Sequence, residues 1–495
     1  MRLGKNKIPK GVPNLMIPNN TEKEKQNFEA ANRFSMTMLE LKIPSLLKRA
    51  NIRKDYRNRK GESNSKKRST FEVFRFLVLL VFQGCNLFRY LESKKKNIAC
   101  SKNTYYRFLN NTHYNWRAFV TFLAAEVISR ISVLTRPERR RCFVVDDSVI
   151  PRERSKSVEL LSFVFDHVRR KSVKGFNLLT VGWTDLYSFI PIGFNMPASA
   201  KEAKRVPISK EIDKRSNGYK NRMNAITKKP DATISLIQSA LDAGIEASHV
   251  LMDTWFTNEP FIKKIKELGL EVIGMLKDNR QSYWYKGKLY QLCELATLIN
   301  FDCPNDIFGS VVVKTKKELI PSKLVFVRNR NKRSEYIILL STDISMSNAE
   351  IVRTNGGRWS IECFHKVCKS LLKLGKEFHG VSYDMTVSST AIIYTRFIIM
   401  EWLRRKDNDL RTFGELFFFM TDEVRDIELT DALKKLMSLF AVGINEGSIK
   451  ICEAVRLQLV QWFVSQPTFI QSLFPAFPED ISIPKEGIST PILCQ

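Results

Sequence analysis

Two kinds of hydrophobic pattern divide the chain. Apolar residues recur at helical spacing over residues 71–134, which predicts a group of helices. Within this region Ser101 is a good N-cap for a short helix that carries Lys102 and Arg107, either as a groove-reading helix or as an ordinary helical linker. From Cys142 onward, short β-branched runs predict strands.

Three consecutive strands are predicted where the second pattern begins. Their apolar runs start at Cys142, Phe176 and Phe189, and the first run ends abruptly in Asp146-Asp147. A single acid at a strand end is usually a turn former or a helix cap, so these aspartates need partners before they indicate chemistry.

A βαβ unit follows after a polar, basic connection. The strand 249–252 is directly followed by Asp253, Glu259-Pro260 opens a helix that Gly269 closes, and a second strand begins at Glu271. The sequence therefore predicts a second carboxylate at the end of a strand, on a neighbouring element.

The residue pattern changes twice more along the rest of the chain. Residues 281–345 are rich in strand patterns, which indicates a β insertion. A capping box at Ser347 then starts a helix that breaks at Gly356-Gly357, and a longer helix is predicted from Arg358 to Gly375.

Charge narrows the choice of partners. The chain of 495 residues carries a formal net charge of +29, and its first 70 residues contain 18 Lys or Arg against 6 Asp or Glu. Such an excess favours a polyanion, and nucleic acid is the first candidate. A membrane is a weaker candidate because the longest apolar runs, 76–82 and 392–403, are too short or are interrupted by charges. Since no secretory signal is visible at the N-terminus, we expect a cytoplasmic protein associated with the nucleoid.

Cysteine and histidine do not suggest a metal site. The nine cysteines form no C-x-x-C pair, and the five histidines are scattered without zinc-ligand spacing. Carboxylates are therefore the expected metal ligands.

The helix that starts at Arg358 carries one acid in a basic stripe. Helical spacing aligns the following residues along one face: Arg358, Glu362, Lys366, Lys369 and Lys373. Taken alone, this face is more often a solvated surface. Together with two aspartates at strand ends, however, Glu362 completes a set of three carboxylates suited to hard divalent cations.

The segment Arg358-Trp-Ser-Ile-Glu-Cys-Phe-His-Lys resembles the R-W-x-I-E-x-F-x-K motif of the DDE transposases of bacterial insertion sequences. The resemblance is to the class with the Y-x2-R-x3-E-x6-K signature, in which Arg358, Glu362 and Lys369 match and Asn355 takes the tyrosine position.

Two upstream blocks extend the resemblance over roughly residues 70–405. Val145-Asp-Asp-Ser is similar to the D-x-S/T of the first strand, and Leu251-Met-Asp-Thr-Trp-Phe is similar to V-L-x-D-S-W-Y/F. The D-x-S register favours Asp146 over Asp147 as the ligand, because alternation along a strand points Asp147 to the other face.

The resemblance implies a ribonuclease-H-like α/β fold, with a mixed sheet and flanking helices interrupted by a β-strand-rich insertion. It implies that Asp146, Asp253 and Glu362 are catalytic and bind Mg²⁺ or Mn²⁺, as two ions, for DNA cleavage and strand transfer in cut-and-paste transposition. The alternatives are a nuclease without strand transfer and a catalytically silent DNA-binding derivative.

The implied partners are double-stranded DNA, as terminal inverted repeats and target, and a second copy of the chain in a homodimer or larger synaptic complex. The expected DNA contacts are Arg358, Lys366, Lys369, Lys373 and Trp284. Trp284 would stack on a flipped base, although a tryptophan between tyrosines on a strand is more often simply packed.

Six segments summarise these expectations. They are a basic flexible arm (1–70), a helical DNA-binding region (71–140), the catalytic core (141–280 and 346–405), the β-rich insertion (281–345) and a helical C-terminal region (406–495).

Overall fold

A computed structural model describes most of the chain. The described residues are 33–53, 69–93, 100–166, 169–209, 212–277, 281–299, 301, 305–329, 332, 334–408, 410–421 and 453–465. They fall into two units: the described residues between 37 and 421 belong to one, and residues 33–36 with 453–465 belong to the other. The sequence-based expectations for residues 1–32, 54–68, 422–452 and 466–495 lie outside the described residues.

Helices dominate both ends of the described chain. They are α1 (Arg33–Glu40), α2 (Ile43–Arg49), α3 (Thr70–Leu79), α4 (Leu87–Ser93), α5 (Lys102–Leu109), α6 (Trp116–Leu134), α7 (Asn217–Ala225), α8 (Lys229–Asp242), α9 (Glu259–Glu267), α10 (Leu292–Ala296), α11 (Asn348–Gly356), α12 (Trp359–Ser370), α13 (Tyr383–Lys406) and α14 (Glu453–Val464). Helices α3 to α6 occupy the predicted helical region, while α1 and α2 lie in the segment predicted as a flexible arm. None of the described helices is both long enough and apolar enough to cross a lipid bilayer.

The strands form one sheet. They are β1 (Cys142–Pro151), β2 (Ser162–Asp166), β3 (Lys171–Thr184), β4 (Phe189–Asn195), β5 (His249–Met252), β6 (Glu271–Leu276), β7 (Ser282–Tyr285), β8 (Lys288–Gln291), β9 (Ile307–Thr315), β10 (Pro321–Arg328) and β11 (Tyr336–Ser341). Their order is β2-β3-β1-β5-β6-β11-β10-β9-β7-β8, and β4 also pairs with β3.

The centre of this sheet mixes antiparallel and parallel strands. Strands β4, β3 and β1 are antiparallel neighbours, and β5 and β6 continue the sheet parallel to β1. The antiparallel strands follow one another along the chain, whereas β5 and β6 are joined through α9 as a parallel pair requires. The predicted fold class, a mixed sheet with flanking helices, is confirmed.

The strands of segment 281–345 continue the same sheet. β11 pairs antiparallel with β6, and β10, β9, β7 and β8 add to it in turn. The predicted strand-rich character is confirmed, and the insertion widens the core sheet at its β6 edge.

Two boundaries differ from the sequence-based expectation. β1 does not end at Asp146 but runs to Pro151, because β3 pairs with all ten of its residues. The helix predicted to reach Gly375 ends at Ser370, and Lys373 lies in a turn at φ 61°. Lys373 therefore does not continue the helical face of α12, as its spacing had suggested.

Helix α13 anchors α12. Its side chains are buried along nearly all of its length, including Tyr394 and Phe397. Phe364 of α12 packs edge-on against both rings, with centroids 5.0 and 4.7 Å apart. Because Phe364 faces α13, the charged side of α12 is turned away from this core.

Candidate active site

Strand register brings two of the predicted carboxylates together. β1 and β5 are parallel neighbours in which Val144 pairs with Leu251, two positions before Asp146 and Asp253 respectively. Asp146 and Asp253 each lie two positions beyond this pair, and the charge of Asp253 acts on Asp146, so the two carboxyls are near each other. Asp253 directly follows the last residue of β5, as predicted.

The environment of Asp146 favours its neutral form. Burial raises the pKa of this carboxyl to about 7; the backbone N–H of Asp147 lowers it, the charges of Asp253 and Asp147 raise it, and Arg358 lowers it. The Asp147 N–H donates to Asp146 Oδ1 at 2.8 Å. Asp146 is thus a carboxylate that loses its proton near neutrality and gains from a nearby positive charge.

Asp253 is held in a tight turn. Its Oδ1 accepts the backbone N–H groups of Trp255 (3.0 Å) and Phe256 (3.2 Å), and its carbonyl oxygen accepts the Thr257 hydroxyl (2.6 Å). Thr257 in turn packs closely on Gly274 of β6, where a Cβ would lie 2.2 Å from the Thr257 hydroxyl. This turn fixes one carboxylate oxygen of Asp253 and leaves Oδ2 without a hydrogen-bond donor among the described residues.

Helix α12 supplies the basic groups of the site. Lys369 Nζ donates to the Ser148 hydroxyl of β1 at 2.6 Å, which ties the helix to the face of β1 that also carries Asp146. Burial lowers the pKa of Lys369, and the charges of Asp166 and Asp146 raise it. The predicted signature lysine therefore lies beside the aspartate pair.

Glu362 is held by a cation of its own helix. Arg358 Nη2 donates to Glu362 Oε1 at 2.5 Å, and the same guanidinium acts electrostatically on Asp146. Arg358 consequently lies between the helix-borne carboxylate and the strand-borne pair. Among the described residues, no three His, Cys, Asp or Glu groups lie close enough to hold a metal ion.

The two adjacent aspartates of β1 have different partners. Asp147 forms an ion pair with Lys229 at the start of α8, and the Lys229 ammonium lies 4.3 Å from the ring centre of Trp255. Asp146 has no ion pair with a described residue, although Arg358 is near it. Lys229 compensates the charge of Asp147, whereas no cation of the described residues pairs with Asp146. Asp146 is therefore favoured as the metal ligand, in agreement with the D-x-S register.

The donor chemistry fits a hard divalent cation at Asp146 and Asp253. Both groups supply carboxylate oxygens, Asp146 from β1 and Asp253 from the turn after β5, and a bound cation would stabilise the ionised form of the buried Asp146. Glu362 can serve as the third ligand only if it breaks its ion pair with Arg358 and binds the metal ion instead.

The other predicted contacts are dispersed. Lys366 is exposed on α12, and Lys373 lies in the turn beyond it. Trp284 lies on β7, where its indole N–H donates to the Lys316 carbonyl oxygen at 3.1 Å. The structure does not bring these three side chains together with the aspartates.

Lys229 had not been predicted, because its link to Asp147 spans 82 positions and leaves no local signal in the sequence. His365 of α12 is buried, and burial together with the charge of Lys369 lowers its pKa to about 3.

Comparison with known proteins supports the same region. The family model of the DDE superfamily endonucleases matches residues 84–288, which include Asp146 and Asp253 but not Glu362. Among solved structures, the Drosophila P element transposase strand transfer complex is similar to 50% of this chain and 52% of that chain, with 10% identity and a TM-score of 0.22. The chain thus spans about half the length of that transposase. No curated protein sequence matches the chain. Residues 84–288 are similar to a DDE endonuclease, and the paired aspartates lie within them.

Proposed function

We propose that this chain is a metal-dependent DNA endonuclease of the transposase type, which cuts at the ends of an insertion sequence and joins them to target DNA. The observation that carries the proposal is the proximity of Asp146 on β1 and Asp253 directly after the neighbouring β5, inside the region that matches the DDE endonuclease model. The net charge of +29 supports DNA as the substrate.

Asp146 and Asp253 would hold the cation, and Glu362 would join them. Two Mg²⁺ or Mn²⁺ ions, when bound, activate the attacking oxygen and stabilise the leaving oxygen of a phosphodiester. The turn at Trp255 and Phe256 orients Asp253, while burial sets the protonation of Asp146 near neutrality.

Arg358 and Lys369 are the groups that would meet the DNA backbone. Both are cations within electrostatic reach of Asp146, so a phosphate beside the aspartates would be neutralised from the α12 side. A phosphate that binds Arg358 also competes with Glu362 for its guanidinium. DNA binding and release of Glu362 are therefore coupled in this proposal.

The partners proposed are terminal inverted repeats, target DNA and a second copy of the chain, because two ends must be cut and joined together. The location proposed is the bacterial nucleoid. Helices α3 to α6 would contribute end binding, with Lys102 and Arg107 of α5 as candidate contacts.

The test is a cleavage and strand-transfer assay with purified chain, Mg²⁺ and DNA that carries the inverted repeats flanking its gene. Wild type is expected to cut the repeat ends and to join them to a plasmid. Asp146→Ala, Asp253→Ala and Glu362→Ala are expected to bind the ends without cutting them. Cleavage by any of the three would remove that residue from the site.

Two outcomes would select an alternative. Cutting without joining would identify a nuclease, and binding without cutting in the wild type would identify a catalytically silent DNA-binding protein. The Arg358–Glu362 pair is the observation that favours the silent protein, because it neutralises the third predicted carboxylate with a cation of the same helix.

A further inference from the structure

An exposed tryptophan follows the second aspartate of the candidate site. Trp255 comes two positions after Asp253 and is 51% exposed. Its backbone N–H donates to Asp253 Oδ1 at 3.0 Å, so the main chain of the tryptophan is fixed relative to that carboxylate. A large aromatic side chain that lies half in water, on a turn that carries a predicted metal ligand, is a candidate for contact with the substrate.

Two neighbours hold the indole ring in place. Lys229 Nζ lies 4.3 Å from the ring centre, and the same ammonium pairs with the Asp147 carboxylate. The buried ring of Phe256 lies at 79° to the indole, with centroids 4.8 Å apart. These contacts restrict rotation of the Trp255 side chain but leave half of it open. A ring that is already ordered loses little conformational entropy when it binds a ligand.

The open part of β1 lies beside this turn. β1 pairs with β5 only over Cys142–Val144, and no other strand of the described chain continues the pairing on that side. The next residues of β1, Asp146–Val149, are half-buried, whereas the strand up to Val145 is buried. We call the gap between Asp146–Val149 and the turn 253–256 the notch. Both aspartates of the candidate site and Trp255 belong to it.

The chemistry of the notch fits a nucleotide at the end of a DNA strand. Asp146 and Asp253, with a cation, would hold a phosphate or a terminal hydroxyl, and the indole offers a flat surface for a base. Consecutive Cα atoms are about 3.8 Å apart, so Trp255 lies within roughly 8 Å of Asp253, or about two nucleotide steps of 3.4 Å. A base on this ring therefore belongs to the first or second nucleotide beside the reacting atoms.

A base offers its face to an indole only where base stacking is interrupted. In a continuous duplex each base lies between two neighbours, so both of its faces are covered. Cleavage removes the neighbour on one side and leaves the terminal base with an open face. The contact is therefore available to cut DNA and not to intact DNA, and it stabilises the complex only after cleavage.

We propose that Trp255 stacks on the terminal base of the cut DNA strand and so holds its 3′-hydroxyl end at Asp146 and Asp253 until that end is joined to target DNA. Lys229 holds the indole in the orientation that receives the base. The inference rests on the proposed function, since it assumes that the chain cuts DNA at these aspartates.

The first test compares cut and intact DNA. The full chain is titrated in Ca²⁺ with a duplex that ends at the inverted repeat flanking the gene, and with a duplex in which the same repeat continues into flanking DNA. Trp255→Ala is expected to bind the cut duplex about tenfold more weakly than wild type, and the intact duplex with unchanged affinity. An equal loss on both duplexes, or no loss on the cut one, would overturn the proposal.

Matched variants separate stacking from other roles of the residue. Trp255→Phe keeps a flat ring and should bind the cut duplex within about threefold of wild type, whereas Trp255→Leu should lose as much as Trp255→Ala. Trp462→Ala is the control for exposure, because Trp462 is 52% exposed, and it should bind both duplexes like wild type. An equal loss in this control would contradict a specific contact.

Mn²⁺ binding without DNA tests for an indirect effect on the metal ligand. Trp255→Ala should leave Mn²⁺ affinity unchanged, because Asp253 keeps both of its backbone hydrogen bonds. Loss of Mn²⁺ binding would show that the ring acts through the turn of Asp253, and the proposal would fail.

Lys229 is a positioning residue in this proposal, since it contacts the indole and not the DNA. Lys229→Met removes the charge, keeps the methylene stem and should weaken binding of the cut duplex about threefold. In Trp255→Ala the same change should have no further effect, because no ring is left to hold. Additive losses would show that Lys229 contacts the DNA itself, and its positioning role would fail.

Failure of this inference and failure of the proposed function give different results. If the chain cuts DNA, and Trp255→Ala binds and joins precut ends like wild type, the inference fails and the nuclease stands. If Trp255→Ala shows the expected loss but wild type never cuts DNA, the contact stands and the nuclease fails. If Trp255→Ala changes the mass of the chain in solution from dimer to monomer and leaves binding of the cut duplex intact, the ring packs on a second copy and the inference fails.

Discussion

The candidate site has two halves that are built in different ways. On the sheet, Asp146 lies on β1 and Asp253 directly follows β5, and main-chain hydrogen bonds pair these two strands. On α12, Glu362 is placed by a side-chain ion pair with Arg358, one helical turn before it. Backbone register cannot change without breaking the sheet, whereas a partly exposed i,i+4 ion pair contributes only a few tenths of a kcal/mol. The sheet half is therefore preformed and the helix half is exchangeable.

The largest expected effect concerns the sheet half. Asp146→Asn and Asp253→Asn should each lower Mg²⁺-dependent cleavage by roughly 10³-fold, because either change removes a charged oxygen ligand. Rates are measured by single-turnover cleavage of labelled DNA. Asp147→Asn is the matched control, and a loss as large as that of Asp146→Asn would transfer the ligand role to Asp147.

The pH dependence of stability tests whether the aspartate pair is preformed. The pKa of Asp146 is raised to about 7 in the folded chain, above its unfolded value. Its contribution to the free energy of unfolding is therefore fully present below the unfolded pKa and is lost as pH rises to about 7. In EDTA, wild type should lose stability on the order of 2 kcal/mol between pH 5 and pH 8, and Asp146→Asn should not. Thermal unfolding at both pH values measures this; equal slopes in the two proteins would contradict the raised pKa.

Removing Arg358 tests whether the helix half is exchangeable. Arg358→Ala frees Glu362, so Mn²⁺ affinity without DNA should rise by about twofold to fivefold, in keeping with the small free energy of such a pair. DNA affinity should fall in the same variant because a phosphate contact is lost. Mn²⁺ titration followed by electron paramagnetic resonance measures the first effect. Weaker Mn²⁺ binding would show that Arg358 positions Glu362 and does not compete for it.

The smallest expected effect is at Lys366, which is exposed on α12. Lys366→Ala should reduce DNA affinity by about twofold and leave single-turnover cleavage unchanged. Lys369→Ala should affect both, because Lys369 bonds Ser148 beside Asp146. If both variants change DNA affinity and cleavage to the same extent, Lys369 does not belong to the site any more than the surface residue Lys366 does.

Capping residues and hydrophobic spacing predicted those elements that form through interactions between residues close in the sequence. The capping box at Ser347, the helix break at Gly356-Gly357 and the βαβ unit around Asp253 were all visible in the sequence and are present in the fold. β2 was not predicted, because its five residues are followed by polar positions and it forms only by pairing with β3. The end of α12 was also missed, since apolar residues continue at helical spacing beyond Ser370.

The sequence by itself determined which residue types are present to do chemistry: acids after apolar strands, a glutamate in a basic helix, and an excess of positive charge. Only the tertiary structure decided which of them meet. Asp146 and Asp253 are 107 positions apart in the chain, and Asp147 and Lys229 are 82 apart. Such pairs depend on strand order and on how helices pack against the sheet, which are set by the burial of many apolar side chains at once. No spacing between single residues carries that information.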